Sequence, residues 1–161
     1  MRGVEMEFNI IQATPDHQQL EDLIEVIESY MKDPMGASAS FSREMRKKLK
    51  QDLICMEHLV LFLGYGGPHI AGAAVCFTIY STFLAAPAIN IHDLAVIPRF
   101  RGKGLGRLLL GAVEKYAMAH QMGRITLEVR RDNIIAQKLY QSCGFFEGTH
   151  PMYFWKKVLL P

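Results

Sequence analysis

Val96-Ile97-Pro98-Arg99-Phe100-Arg101-Gly102-Lys103-Gly104-Leu105-Gly106-Arg107 is the stretch on which the fold turns. An apolar run ends at Val96, a proline follows, and glycines alternate at 102, 104 and 106 before a strongly patterned helix. Glycine at such places lets the backbone take positive φ and approach a ligand closely. The first turn of a helix presents N–H groups without intrahelical acceptors, and its dipole makes that end an anion site. Arg99, Arg101, Lys103 and Arg107 add four positive charges in nine residues. Strand, glycines, charge and helix start coincide, which favours a phosphate-binding turn over a solvated basic loop.

The pattern extends outward on both sides. Leu105 to His120 reads as an amphipathic helix, with Leu105, Leu109, Ala112, Val113 and Tyr116 on one side and Gly123 after its end. Ala88 to Val96 precedes the loop as a strand, and Ile125 to Val129 follows the helix as another. Asn133 to Cys143 is a short helix closed by Gly144. Upstream, apolar runs Glu57 to Tyr65 and Ile70 to Thr78 flank Gly66-Gly67-Pro68, the signature of a buried hairpin.

Met6 to Ile11 alternates as a first strand. Thr14 is then the expected N-cap, with Pro15 at the first helical position and Asp16 facing the positive end of the dipole. Leu20, Leu23, Ile24, Ile27 and Met31 form one stripe before Asp33-Pro34 ends that helix. A second helix follows Ser42, with Met45, Leu49 and Leu53 four apart. Phe145 to Gly148 and Met152 to Val158 read as two short final strands. The order β-α-α-β-β-β-α-β-α-β-β predicts one α/β domain of mixed α+β type over residues 1–161. Its central sheet is expected to be mixed and mostly antiparallel, flanked by about four helices.

The bulk numbers agree with one globular domain. The chain has 161 residues, 50% hydrophobic and 21% charged, and its 18 Lys+Arg against 16 Asp+Glu give a net charge of +2. That balance excludes a strongly basic nucleic-acid binder. Cys55, Cys76 and Cys143 are odd in number and lack CxxC spacing, which speaks against a disulfide scaffold or thiolate zinc site and for a reducing compartment. The acids in MRGVEMEFNI break any signal-peptide core, and runs such as Ile70 to Tyr80 are too short to span a bilayer. A soluble, cytoplasmic protein is expected.

The loop also selects among phosphates. A Walker loop needs Ser or Thr after its lysine, and here Gly104 follows Lys103. The dinucleotide fingerprint fails because Leu109 stands at its third glycine, counted from Gly104. Glu128 could mimic the ribose-binding acid, yet one crossover after antiparallel strands is a poor dinucleotide fold.

Arg101-Gly102-Lys103-Gly104-Leu105-Gly106 resembles the R/Q-x-x-G-x-G/A loop of the GCN5-related N-acetyltransferases, the GNAT superfamily. Arg99-x-x-Gly102-x-Gly104 also fits, but the later register meets the helix start better. Asn133-Ile-Ile-Ala136-Gln-Lys-Leu139-Tyr140-Gln-Ser-Cys-Gly144-Phe145 is similar to that superfamily's Asn…Ala…Leu-Tyr…Gly-Phe segment. The resemblance spans about Ile89 to Phe146.

That resemblance implies acetyl-CoA as acetyl donor, its pyrophosphate held by backbone amides of Arg101, Gly102, Lys103, Gly104, Leu105, Gly106 and Arg107. It also implies that the pantetheine arm pairs with the strand at Leu94, Ala95 and Val96. A backbone N–H near Val96 would polarise the thioester carbonyl. Asn133 matches a polar cofactor contact, and as a residue it also suits the N-cap of the last helix. Tyr140 matches the acid that protonates the departing thiolate; on spacing alone it is a core aromatic beside Ala136, Leu139 and Cys143.

Direct attack needs a neutral amine, and hence a base. Glu128, in Leu-Glu-Val-Arg, matches the glutamate of ribosomal-protein alanine N-acetyltransferases. The stretch Tyr80 to Val96 resembles diamine acetyltransferases, which carry Glu where this chain has His92. Histidine sits near its working pKa without tuning. Each has a structural alternative: His92 as a bonded sheet residue, Glu128 as partner of Arg130 or Arg131.

Arg43, Arg46, Lys47, Lys48 and Lys50 give the second helix a basic face. It reads first as solvated; if it rims the acceptor groove, as the resemblance suggests, it would repel polycations. Cys143 is expected in the core rather than as a nucleophile. His58, His69, His120 and His150 are scattered, so no metal site is expected. Trp155 and the terminal strand suit a homodimer sheet or an ordinary last strand equally. The expected partner is a small-molecule amine, with no nucleic acid and no membrane; a peptide N-terminus or a non-catalytic acyl-CoA-binding module are the alternatives.

Overall fold

A computed structural model describes residues 7–34, 36, 39–148 and 154–159. The elements run β1 (Phe8–Ala13), α1 (His17–Met31), α2 (Arg43–Ile54), β2 (Leu59–Gly66), β3 (His69–Ser81), β4 (Ala86–Val96), α3 (Leu105–Ala119), β5 (Ile125–Leu127) and α4 (Ile134–Ser142), with a 3-10 turn at Pro98–Phe100. One five-stranded sheet has the order β1-β2-β3-β4-β5. Its first three pairings are antiparallel, and β4 with β5, across the α3 crossover, is parallel. This is the mixed, mostly antiparallel sheet with four helices that the element order predicts.

Alternation along the strands fills both faces. On one side, Val60, Phe62, Ala74, Cys76, Ile89 and Ile91 pack against Leu105, Leu109 and Val113 of α3. On the other, Leu61, Leu63, Ala73, Val75 and Ala95 pack against Leu20, Leu23 and Val26 of α1 and Leu53 of α2. Leu109 is 0% exposed. Leu109→Ala is expected to destabilise the fold by about 2–5 kcal/mol, measured by denaturant unfolding.

Three local expectations need correction. The N-cap of α1 is Asp16, not Thr14, and its carboxylate accepts the Gln19 N–H at 2.8 Å. Asp16 thus meets both the free amides and the dipole, leaving Pro15 ahead of the cap. Ser42, by contrast, does cap α2, accepting from the Met45 N–H. The strand expected over Ile125 to Val129 stops at Leu127, because β5 pairs with β4 only at Ile89, Asn90 and Ile91.

The two final strands are the third correction: they are absent among the described residues. Residues 145–148 and 154–159 are irregular, and Met152 and Tyr153, where the last strand was expected to start, lie outside the described residues. Gly144, at φ +86°, ends α4, and the Phe145 N–H returns to the Tyr140 carbonyl at 3.1 Å. A three-residue β5 offers little edge for further pairing. Among the described residues no helix is long and apolar enough to cross a membrane.

Candidate active site

The site begins where β4 and β5 part. Between β3 and β4 the register shifts: Cys76 faces Ile91 and Val75 faces Asp93, so His92 is the extra residue of a β-bulge. A bulge bends its strand and re-aims side chains. Pairing of β4 with β5 ends at the preceding residue, Ile91. From His92 onward the outer edge of β4 opens onto a cleft of about 140 Å³.

The open edge has a defined polarity. The Ile97 N–H donates to the Ala71 carbonyl of β3 at 2.9 Å. Alternation turns the N–H groups of Leu94 and Val96 the opposite way, toward the opening. The Val96 carbonyl accepts Arg101 Nε at 2.9 Å. Ala95 is instead buried, with its side chain in the α1–α2 cluster.

His92, Glu128 and Tyr140 all line the cleft, as do Leu94 and Asn133. The three acid–base candidates, distant in sequence, therefore share one space. His92 is exposed, its ring edge-on to Phe77 at 5.6 Å. Glu128 is exposed and accepts a long 3.5 Å contact from Asn90 Nδ2. Tyr140 is half-buried, tilted against Phe145 with ring centroids 5.9 Å apart. Burial first, and the neighbouring Tyr30 second, push the Tyr140 hydroxyl above the usual phenol range. Its protonated form is thereby favoured, which suits a proton donor. Asn133 caps α4, accepting the Ala136 N–H at 3.1 Å.

Three polar or charged cleft residues are not singled out as site residues by the sequence: Tyr30 from α1, Asp93 and Arg130. Arg130 is bound by Asp132 through both Nε (2.9 Å) and a terminal nitrogen (2.7 Å). Its ion pair is thus made with Asp132, two residues on, where Glu128 was the alternative.

The glycine loop lies at the start of α3, directly after β4. Gly102 and Gly104 have φ of +72° and +87°, and a Cβ at either would meet no atom within 4 Å. This leaves an open cradle next to the first amides of α3. The Leu108 N–H already donates to the Gly104 carbonyl at 3.2 Å; the amides before it are the helix's free donors. Gly106 has another role: a Cβ there would lie 2.9 Å from Leu139 Cδ2, so it admits α4 against α3.

Half of the loop's positive charge is committed within the protein. Arg101 reaches Asp33 at 2.7 Å as well as Val96, and Arg107 binds the carbonyl and hydroxyl of Ser142 at 3.1 and 2.7 Å. Arg99 and Lys103 remain, near the Phe100 ring at 4.8 and 5.9 Å. The backbone cradle fits a pyrophosphate, with these two cations at its rim. Among the described residues no three His, Cys, Asp or Glu side chains cluster as a metal site.

Comparison with known proteins bears on the family and the fold. The sequence model of the Acetyltransferase (GNAT) family matches residues 23–145. A [ribosomal protein bS18]-alanine N-acetyltransferase of Haemophilus ducreyi is 39% identical over 75 residues, 47% of this chain and 50% of that protein. An L-ornithine N5-acetyltransferase of Arabidopsis thaliana is 36% identical over 75 residues, 47% of this chain and 33% of its own. The chain thus spans half or less of these relatives' lengths. In fold, an aminoglycoside acetyltransferase from an uncultured soil metagenomic sample superposes with TM-score 0.78 at 17% identity, covering 94% of this chain and 96% of the other. An aminoglycoside N-acetyltransferase solved with CoA gives 0.75 at 17% identity, covering 98% and 100%.

Proposed function

The chain belongs to the acetyltransferase (GNAT) family, and from that membership we propose that it transfers the acetyl group of acetyl-CoA to a primary amine of a small molecule. The observation that carries this reading is the convergence of Tyr140, Glu128 and His92 on the cleft beside the open edge of β4. Acetyl-CoA, when bound, supplies an acetyl group on a good leaving thiolate.

The chain's own residues do the rest. Backbone amides at the start of α3 hold the pyrophosphate, with no Cβ at Gly102 or Gly104 to obstruct it. The outward N–H groups of Leu94 and Val96 are donors fixed for the carbonyl oxygen on which charge develops. Tyr140 keeps its proton at Oη, available to a departing thiolate. Glu128 and His92 are the candidates to take a proton from the incoming ammonium.

Saturating acetyl-CoA with a panel of small primary amines and peptides tests the reading through free-thiol release. Release with small amines is expected. Release with peptides alone would move the function to N-terminal acetylation, a second reading favoured by the similarity to the ribosomal-protein alanine enzyme. Acetyl-CoA binding without release on any acceptor would leave a binding module.

A further inference from the structure

Beyond Val96 the chain folds back in the turn Pro98–Phe100. The Phe100 N–H donates to the Ile97 carbonyl at 2.9 Å and the Arg101 N–H to the Pro98 carbonyl at 3.1 Å. Buried Phe100 pins this turn in the α3 cluster, edge-on to Phe8. The turn brings Arg101 back to the strand it has left, where its Nε donates to the Val96 carbonyl at 2.9 Å. The N–H and C=O of one strand residue point the same way. Arg101 therefore closes the open edge of β4 at the residue whose N–H faces the opening.

The other arm of the same guanidinium is held from α1. Arg101 Nη1 donates to the Asp33 carboxylate at 2.7 Å, across 68 residues of sequence. The Asp33 side chain is only 13% exposed, that of Arg101 44%. Backbone bonds fix Asp33 in turn: its N–H returns to the Tyr30 carbonyl at 3.0 Å, and its own carbonyl accepts the Gly36 N–H at 2.8 Å. A Cβ at Gly36 would overlap the Tyr30 carbonyl, so this turn is closed tightly against the end of α1. Tyr30 itself lines the cleft. One ion pair thus ties α1 to the last residue of β4 and to the glycine loop.

A pair this open to water contributes little through attraction alone. Its effect is geometric. A planar guanidinium donates along fixed directions, so two bonds from one group set the Val96 carbonyl relative to the end of α1. The pair also settles where the charge goes. Arg101 is committed to the scaffold, and the phosphates are left to the helix amides, with Arg99 and Lys103 at the rim.

Resting on the reading that acetyl-CoA lies along β4 and the glycine loop, we propose that Asp33 is a positioning residue for acetyl-CoA. Acting through Arg101, it holds the Val96 edge and the entrance of the loop in the arrangement that the cofactor meets. It touches no reacting atom.

Calorimetry of acetyl-CoA on four proteins tests this: the unaltered chain, Asp33→Asn, Arg101→Gln and the double variant. Asp33→Asn is expected to weaken binding by about 10-fold, the scale of one charge-assisted bond. In steady-state kinetics the KM for acetyl-CoA should rise to match, with kcat within about threefold. In the Arg101→Gln background the same change should add nothing. An equal loss in both backgrounds would make Asp33 a packing residue of α1 and overturn the proposal. Unchanged affinity in Asp33→Asn would do the same. So would tighter binding, because Arg101 once released would then be a phosphate ligand. If either single variant does not fold, NMR of the unaltered protein decides. The Arg101 Nε–H should stay protected from solvent exchange with acetyl-CoA bound, and its release on binding would overturn the proposal. No acetyl-CoA binding by the unaltered chain would end the transferase reading itself, and the role of Asp33 with it.

Discussion

Gly104→Val is expected to weaken acetyl-CoA binding by about 100-fold or more. Gly104 holds φ +87° at the N-cap of α3, a region where a side chain costs about 1–2 kcal/mol and a β-branched one is an outlier. The chain would relax and re-aim the first amides of the helix. If it did not, the new side chain would fill the open space where the pyrophosphate approaches. Titration calorimetry reads the result. Gly111→Ala is the control: it lies within α3 with nothing within 4 Å of a built Cβ. It should leave affinity alone and add up to about 1 kcal/mol of stability. A Gly104→Val affinity within about threefold of the unaltered protein would remove the loop from cofactor binding.

Tyr140→Phe should lower turnover by about 100-fold or more while acetyl-CoA affinity changes little. Phenylalanine keeps the ring contact with Phe145 and the packing against the α3 cluster, so only the proton is lost. Steady-state kinetics beside calorimetry make the distinction. A loss in affinity with turnover intact would make Tyr140 a packing residue.

The fold is most legible in the sequence where the determining contacts are local. The α3 stripe, the Ser42 cap, the hairpin of β2 and β3 and the glycine turn all depend on neighbours a few positions away. Asp16 displaces Thr14 as a cap because two capping residues stand within one turn, and pattern alone does not rank them. The final strands follow an alternation that, among the described residues, finds no partner, since β5 ends after three residues.

The site divides in the same way. His92, Glu128 and Tyr140 are legible through motifs, and the fold brings them to one cleft. Tyr30 and Asp93 are not, because their place depends on how α1 crosses the sheet and on a one-residue bulge. The fate of two loop charges is equally invisible: Arg101 is captured by Asp33, 68 residues away, and Arg107 by Ser142, 35 away.

The proposed reaction is acetyl transfer to nitrogen at the β4–β5 cleft. Its most direct test is the mass of the amine acceptor after incubation with acetyl-CoA and the protein. One added acetyl group on nitrogen is expected, formed with the unaltered chain and largely lost with Tyr140→Phe. An acceptor panel that stays unmodified while acetyl-CoA binds would contradict it.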